Sequence, residues 1–372
     1  MSDTPRLTTR IALGWARRHA RRFPPQAMLP LPADTTARIL VVNTTGIGDT
    51  IFCTAPIADL RESFPDATIE AFVDRRRVGL LAGNPRLNDV VVYPGKFKSM
   101  RATIRELRER KYDVAIIQHA NDPDVVPMIA SARPKHIVGY ENHTFSLLYS
   151  VACPEFARTA GHTIDSRLGL CKAVGARGEH WRMELYPSEE KLQAARELLS
   201  ELGLEEGKAI ALNIGGSAPR KRWPTTHWDE LARLLSARGI PGIFLGGPED
   251  SLAGEMIREH IGDADNMHFA IGKLGLNGDI ALLSLCRAHV SGDTGLLHAG
   301  YALNVPSVAL FGPNDPAWTG PYPKQERSAV VQPPRSEWPD DYDADKDKSG
   351  ELMKVIGAQD VLAALDTVIS DQ

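Results

Sequence analysis

Short apolar runs that end in glycine turns and feed straight into helices recur along this chain, and they leave it few folds. Ile39-Leu40-Val41-Val42 is apolar at every position, a glycine turn follows, and a helical stretch covers about Asp49–Phe64. Thr68–Val73 reads as a strand, followed by a short helix, the strand Val90–Tyr93, the helix Ser99–Arg110 and the strand Asp113–Ile117. A strand with no polar face is buried on both sides, which implies parallel pairing with helices over both faces of the sheet. The rhythm loosens over Asn121–Gly161, where loops that carry function are expected. It resumes near Pro187 with helix Ser188–Leu202, strand Ala209–Asn213, loop Ile214–Pro224, helix His227–Arg238 and strand Ile243–Leu245. After Gly246-Gly247-Pro248 come a helix from about Asp250, a further strand and helix, and strand His289–Ser291. A helix through Leu303 and strand Ser307–Phe311 complete the series. Two such arrays predict an α/β chain of two Rossmann-like parallel-sheet domains facing a central cleft. The expected divisions are a basic extension over 1–37, domains over 38–186 and 187–332, an acidic mobile segment over 333–352 and a C-terminal helix over 353–372 packing back on the body.

Composition narrows the function. No stretch approaches the roughly 18–20 uninterrupted apolar residues of a membrane-spanning helix. A net charge of -4 gives no basic footprint for nucleic acid. Cys53, Cys153, Cys171 and Cys286 are scattered without metal-ligand spacing, and the Met1 end lacks the apolar core of a secretion signal. Both features point to a cytoplasmic protein with reduced thiols. Charge is nevertheless uneven, because residues 1–37 carry six arginines against Asp3 and Asp34. At helical spacing Ile11, Leu13, Trp15, Ala16, Ala20 and Phe23 share one face, opposite Arg10, Arg17, Arg18 and Arg21. Residues 8–23 therefore read either as a helix docked on the body or as a peripheral contact with an anionic membrane. Near the other end, Asp341-x-Asp343-x-Asp345 has the spacing of a calcium loop. Lys346 replaces its turn glycine and Leu352 its bidentate glutamate, so a solvated excursion is expected and no metal site.

Three turns carry candidate chemistry. Asn43-Thr44-Thr45-Gly46-Ile47-Gly48-Asp49-Thr50 follows the first strand, and glycines there let a ligand approach the backbone. A dinucleotide fingerprint would need a glycine where Ile51 stands, which leaves a nicotinamide enzyme as a weak alternative even with Asp74 closing the next strand. Taken alone, Asp49 reads as a helix cap. Gly215-Gly216-Ser217-Ala218-Pro219-Arg220-Lys221-Arg222-Trp223-Pro224 joins a flexible turn to three cations, chemistry suited to a phosphate and to charge on a leaving group. Trp223 argues against a merely solvated loop. The third turn, Ser291-Gly292-Asp293-Thr294-Gly295-Leu296-Leu297-His298, opens a helix with Thr294 and His298 on one face and suits a diphosphate. Singly, Asp293 reads as a cap and His298 as a structural histidine.

Together these stretches resemble the ADP-heptose:lipopolysaccharide heptosyltransferases, glycosyltransferase family 9. The resemblance rests on Ile39–Pro56 with Gly48-Asp49, Gly83-Asn84-Pro85, Lys221-Arg222-Trp223-Pro224, Gly246-Gly247-Pro248 and Asp293–His298. It continues through Phe311-Gly312-Pro313-Asn314-Asp315-Pro316 and Thr319-Gly320-Pro321.

The resemblance implies a GT-B fold, with the acceptor in the N-terminal half and the nucleotide-sugar donor in the C-terminal half. It implies an inverting, metal-independent transfer of heptose from ADP-heptose to a lipopolysaccharide-core or related lipid-linked glycan, at the cytoplasmic face of the inner membrane. Asp49 would be the general base and Lys221 would stabilise the departing diphosphate. Gly216, Ser217, Thr294, Gly295 and Leu296 would line the phosphates, supported by Asp293 and His298, with Asp250 on the ribose. Gly48, Arg75, Arg76 and Arg77 would serve the acceptor. No resident cofactor is expected beyond the nucleotide-sugar co-substrate. Asp49→Ala is expected to fold normally, bind nucleotide and lose transfer. A nucleotide-sugar epimerase of similar fold and a non-catalytic nucleotide-sugar-binding protein are the alternatives.

Overall fold

The computed structural model describes residues 7–28, 30–154, 161–262, 264–344, 346–347 and 349–370. The chain divides into two compact units, Met1–Tyr186 and Pro187–Gln372. The first begins with α1 (Leu7–Arg22), β1 (Arg38–Asn43), α2 (Ile47–Phe52), α3 (Thr54–Ser63), β2 (Thr68–Asp74), α4 (Val78–Leu81) and β3 (Asp89–Tyr93). It continues with α5 (Met100–Glu109), β4 (Val114–His119), α6 (Val125–Ala132), β5 (His136–Tyr140), β6 (Val151–Cys153) and α7 (Thr163–Ala173). Its sheet is parallel throughout, in the order β3-β2-β1-β4-β5-β6. β1 shows why: Leu40 and Val42 enter the apolar cluster on one face, Ile39 and Val41 the cluster on the other. Each such side chain contributes about 1.5–3 kcal/mol by leaving water, and no polar face remains to be solvated.

The second unit starts with α8 (Glu189–Glu201), β7 (Ile210–Asn213), α9 (Thr225–Ala237), β8 (Gly242–Leu245), α10 (Ser251–Ile261) and β9 (Met267–Phe269). Then follow α11 (Gly275–Ser284), β10 (Ala288–Gly292), α12 (Gly295–Ala302), β11 (Ser307–Leu310), α13 (Pro316–Thr319), β12 (Ser328–Val331), α14 (Glu351–Val355) and α15 (Ala358–Ser370). Its sheet is also parallel, in the order β12-β11-β10-β7-β8-β9. Counted within the unit, this is the strand order of the first sheet. α15 packs on β10, β11, β12 and α9 and closes the apolar cluster around Trp228 and Phe244.

Several elements differ from the sequence reading. The helix expected over Asp49–Phe64 is two helices that meet at Cys53, because Pro56 has no N–H to give to the Phe52 carbonyl. The loosened stretch after Asn121 holds α6, β5 and β6. Their brevity, and the nearly all-apolar composition of α6 (Val-Val-Pro-Met-Ile-Ala-Ser-Ala), erase the periodicity by which they would be read. β12 went unread because it is four residues long and only partly buried.

The N-terminal helix resolves to the docked reading. Ala16 is fully buried, and Ala12, Leu13, Trp15 and Ala20 pack on the first unit's core. The end of the acidic stretch is folded as well. The Asp347 carboxylate accepts the Tyr342 hydroxyl and the backbone N–H groups of Ser349, Gly350 and Glu351. Gly350, at φ +68°, lies so close to the Pro219 carbonyl that a Cβ would sit 2.6 Å from its oxygen. Asp345, the third acid of the calcium-like spacing, lies outside the described residues. Among those described, no cluster of three or more His, Cys, Asp or Glu is placed to hold a metal ion. Nor is any described helix long and apolar enough to cross a membrane.

Candidate functional site

In a parallel sheet the two strands at which the order reverses send their following loops in opposite directions, and the gap outside their carboxyl ends receives ligands. The first sheet reverses between β1 and β4, and the second between β7 and β10. Candidate chemistry lies at both places.

At the first, a register shift at Val42/Asn43 sets Asn43 opposite His119, the last residue of β4. The Thr45 hydroxyl donates to Asn43 Oδ1 at 3.0 Å and lies 2.7 Å from His119 Nδ1. Asn43 Nδ2 donates to Thr50 Oγ1 at 2.9 Å, which ties strand end to helix. Asp49 falls in the first turn of α2. Arg167 of α7 donates from Nη2 to Asp49 Oδ1 at 2.8 Å and from Nη1 to the Asp49 carbonyl at 2.8 Å. The same Nη1 lies 2.8 Å from Cys53 Sγ. His119 Nδ1 stands 3.6 Å from Asp49 Oδ2. The Arg167 side chain is 4% exposed and that of Asp49 33%, so the cation is sealed in and the carboxylate reaches solvent. Burial pushes the Asp49 carboxyl up, but Arg167, His119 and bonds from Thr45 and Gly46 outweigh it and hold it below its ordinary range. Cys53, beside the same cation, is pushed up by burial to about 11 and stays a thiol.

At the second, Lys221 Nζ lies 2.7 Å from Asp293 Oδ2 and donates to the Asp293 carbonyl at 3.1 Å. Asn314 Nδ2 donates to Asp293 Oδ2, and His298 Nε2 stands 3.7 Å from Oδ1. Burial raises the Asp293 carboxyl, but Lys221 and His298 outweigh it and the net shift is downward. Here the exposures are reversed, 6% for Asp293 and 22% for Lys221. Thr294 caps α12, and Asn213 Nδ2 donates to the hydroxyls of Ser291 and Thr294 at 2.8 and 3.0 Å. Two glycines let the basic loop close on this turn. A Cβ on Gly292 would lie 2.5 Å from the Lys221 carbonyl oxygen, and one on Gly216 2.8 Å from the Arg222 side chain. Trp223 pins the loop from below, buried edge-on against Trp228 with its Nε1 donating to the Ile356 carbonyl at 2.9 Å.

Asp250 is buried and gives its carboxylate to the Gly247 N–H and to Arg222, 3.1 Å away. Arg222 in turn donates to the Gly216 carbonyl. Arg75 and Arg76 are exposed, Arg76 pairs with Asp74, and Arg77 is half-buried. Ser217 is exposed and Leu296 is buried in the first turn of α12. Arg167 and His119 were not singled out. A signal for Arg167 existed: Ile164, Arg167, Leu168 and Cys171 form one buried helical stripe, and a charge on such a stripe demands a partner. The partner also changes one expectation, because Asp49→Ala would strand a buried guanidinium and not leave the fold untouched.

Residues 100–341 match the family described as Glycosyltransferase family 9 (heptosyltransferase). Lipooligosaccharide heptosyltransferase 2 of Haemophilus ducreyi is 26% identical over 312 residues, spanning 77% of this chain and 87% of the relative. Lipopolysaccharide heptosyltransferase 2 of Escherichia coli is 25% identical over 306 residues, spanning 78% and 87%. Among solved structures, the glycosyl transferase family 9 from Veillonella parvula superposes with a TM-score of 0.82 at 24% identity, covering 92% of this chain and 100% of that one. ADP-heptose lps heptosyltransferase II of E. coli gives 0.73 at 23% identity, covering 90% and 99%. These superpositions show a shared fold.

Proposed function

The chain belongs to glycosyltransferase family 9, and from that premise we propose that it moves heptose from ADP-heptose to a lipopolysaccharide-core or related lipid-linked glycan. Like its heptosyltransferase relatives by name, it would take a nucleotide sugar as co-substrate. One observation carries the reading. The two switch points hold carboxylate–cation pairs of opposite exposure, Asp49 outward over buried Arg167, and Lys221 outward over buried Asp293. An outward carboxylate suits a hydroxyl nucleophile, and an outward ammonium suits a diphosphate.

In the proposed reaction Asp49 takes the proton of the acceptor hydroxyl as that oxygen bonds to the anomeric carbon. The bond from that carbon to the diphosphate oxygen breaks from the opposite side, so the configuration inverts and ADP leaves with the electron pair. Lys221 meets the negative charge gathering on the diphosphate. The backbone around Gly216, Ser217, Thr294, Gly295 and Leu296 supplies further donors, while Asp293 and His298 orient Lys221 and the turn. With these positive groups in place, the transfer is proposed to need no resident metal. Asp250 is assigned to hold Arg222 and the turn after β8, where the ribose would sit. Gly48 and Arg75–Arg77 are assigned to the acceptor, and the protein to the cytoplasmic face of the inner membrane as a peripheral enzyme.

Nucleotide discrimination tests this. Thermal unfolding with ADP, UDP, GDP, dTDP and CMP, each with and without magnesium, should show a magnesium-independent shift with ADP. At about a hundredfold over its dissociation constant the ligand stabilises by roughly 2.7 kcal/mol. A preference for UDP or dTDP would overturn the donor assignment, and ADP release from ADP-heptose without any acceptor product would overturn the transfer.

A further inference from the structure

The docking of α1 leaves an apolar groove of about 410 Å³ on the first unit, between α1 and α5 and floored by the start of α6. Ile11 and Trp15 form one wall, Phe97, Met100 and Ile104 the other, with Pro127 below. That volume is in the range of small-molecule sites, yet this groove has hardly any polar groups to recognise one. Asp124, a carboxylate in its wall, is buried and engaged by the Tyr93 hydroxyl and the Phe97 N–H.

Two further features bear on what the groove takes. Phe97 is 44% exposed and sits at φ +57°, with Ser99 two residues on at φ +47°. Left-handed backbone at non-glycine residues is unfavourable and persists only where the surroundings hold it. Here the buried Asp124 holds it, at 2.7 Å from the Phe97 nitrogen, and the strained turn keeps an aromatic ring out in solvent. Beside it, Leu7 and Ile11 of α1 are 71% and 63% exposed. The charge around this apolar surface has one sign on α1, which carries Arg10, Arg17, Arg18, Arg21 and Arg22 and no acid. Lys98 and Arg101 are exposed on the facing turn and helix, where the acids Asp122 and Glu109 lie beside Lys96 and Arg105.

We propose that this groove and the basic solvent face of α1 beside it are a docking surface for an anionic lipid bilayer, with Phe97, Ile11 and Leu7 entering the acyl region and the α1 arginines meeting headgroup phosphates. The apolar face that would let α1 lie on a membrane by itself is already packed against the body. The surface is therefore composite, built from α1 together with the Phe97 turn and α5. This deepens the peripheral placement proposed above and is independent of the transfer chemistry.

The test is co-sedimentation of the full chain with phosphatidylcholine vesicles, pure or containing about one-third phosphatidylglycerol, across a salt series. Binding is expected only to the anionic vesicles and should weaken as salt rises. Each of Arg18→Gln and Arg21→Gln should lower partition about five-fold. Phe97→Asn, which keeps a residue tolerant of the left-handed backbone, should lower it about tenfold. Unchanged melting temperature and an unchanged ADP-dependent shift establish that these variants fold. No vesicle binding, equal binding to pure phosphatidylcholine, or indifference to Phe97→Asn would each overturn the proposal. So would a dimer in sedimentation velocity that Phe97→Asn dissolves, since a second copy would then be the occupant. A chain that binds ADP but not vesicles rejects the docking surface and leaves the transfer reading standing.

Discussion

Replacing Asp49 separates its chemical part from its structural one, provided two substitutions are compared. Asp49→Ala removes the only carboxylate paired with Arg167 among the described residues, and the Arg167 side chain is 4% exposed. Breaking a buried pair by deleting one partner costs about 3–5 kcal/mol. Here Arg167 keeps its bonds to the residue-49 carbonyl and to Cys53, and the lost carboxylate was one-third exposed. A discounted figure of about 2–3 kcal/mol follows, or roughly 5–10 °C in the melting of a unit of this size. Asp49→Asn keeps an oxygen for Arg167 Nη2 and loses only the charge, so its melting should fall by less than half as much. Transfer should fall in both, by about 10²–10⁴-fold if Asp49 is the base. The assay is ADP release with acceptor present, run beside thermal unfolding of each variant. Near-normal transfer by Asp49→Asn would refute the base. Equal melting of wild type, Asn and Ala variants would refute the claim that Arg167 depends on this carboxylate. Arg167→Met supplies the converse test: freed from the guanidinium, the Asp49 carboxyl rises, and the acid limb of the pH–rate profile moves to higher pH.

Gly292→Ala brings a Cβ to 2.5 Å from the Lys221 carbonyl oxygen, a backbone atom that cannot swing aside. The basic loop must move, and the ADP-dependent thermal shift should vanish while the unliganded protein still folds; a retained shift would show that Lys221 is not placed by this contact. His289 in β10 is fully buried, neither ring nitrogen has a partner among the described residues, and burial pushes it down to about 3. The folded imidazole therefore binds its proton less readily than the unfolded one, so stability is full above about pH 6.5 and falls as pH drops towards 3. About 3 kcal/mol should be lost between pH 6.5 and 4 on this account. His289→Leu should flatten that slope in urea titrations, and an unchanged slope would assign the acid lability elsewhere.

What could be read from the sequence was whatever is local. Ile39–Val42 declares a doubly buried strand by having no polar residue. The loop before Trp223 declares itself anchored because an indole amid three cations has to go somewhere apolar. The chemistry-bearing turns were legible because a strand end, a glycine and a helix start lie within twelve residues of one another. What was not legible is what closes over distance. Arg167 reaches Asp49 across 118 positions of sequence, and its stripe says only that a partner exists. His119 enters through a register shift two residues past the strand end that periodicity suggested. Whether α1 docks or floats depended on whether the first unit had apolar surface to offer it, which the helix's own residues do not encode.

The two units share one strand order and use it to opposite electrostatic ends, and the difference lies in which partner of each pair is buried. Burying the guanidinium of Arg167 in α7 commits a full positive charge to an interior where it must be answered. The answering carboxylate is thereby fixed in orientation and kept ionised down to low pH. As the proposed base, Asp49 would in consequence be well placed but weak, its contribution resting on position more than on proton affinity. In the second unit the buried member is the acid, braced by Asn314, and the flexible ammonium is left outward. A ligand diphosphate could then compete with Asp293 for Lys221 while the Asn314 amide still donates to the carboxylate and His298 stays beside it. That asymmetry predicts different failures. Substituting a buried member should disturb stability and pH dependence first, whereas substituting an outward member should disturb turnover first, with a smaller loss of fold set by how well the remaining neighbours hold the stranded partner. Lys221→Met, with its side chain 22% exposed, should therefore cost donor affinity and rate, and because it leaves the buried Asp293 carboxylate to Asn314 and His298 it should also lower melting by no more than Asp49→Ala does. A loss of melting temperature well beyond that, measured without nucleotide and with donor affinity unchanged, would mean that Lys221 is a structural cation and that the outward charge serving the diphosphate lies elsewhere in the loop.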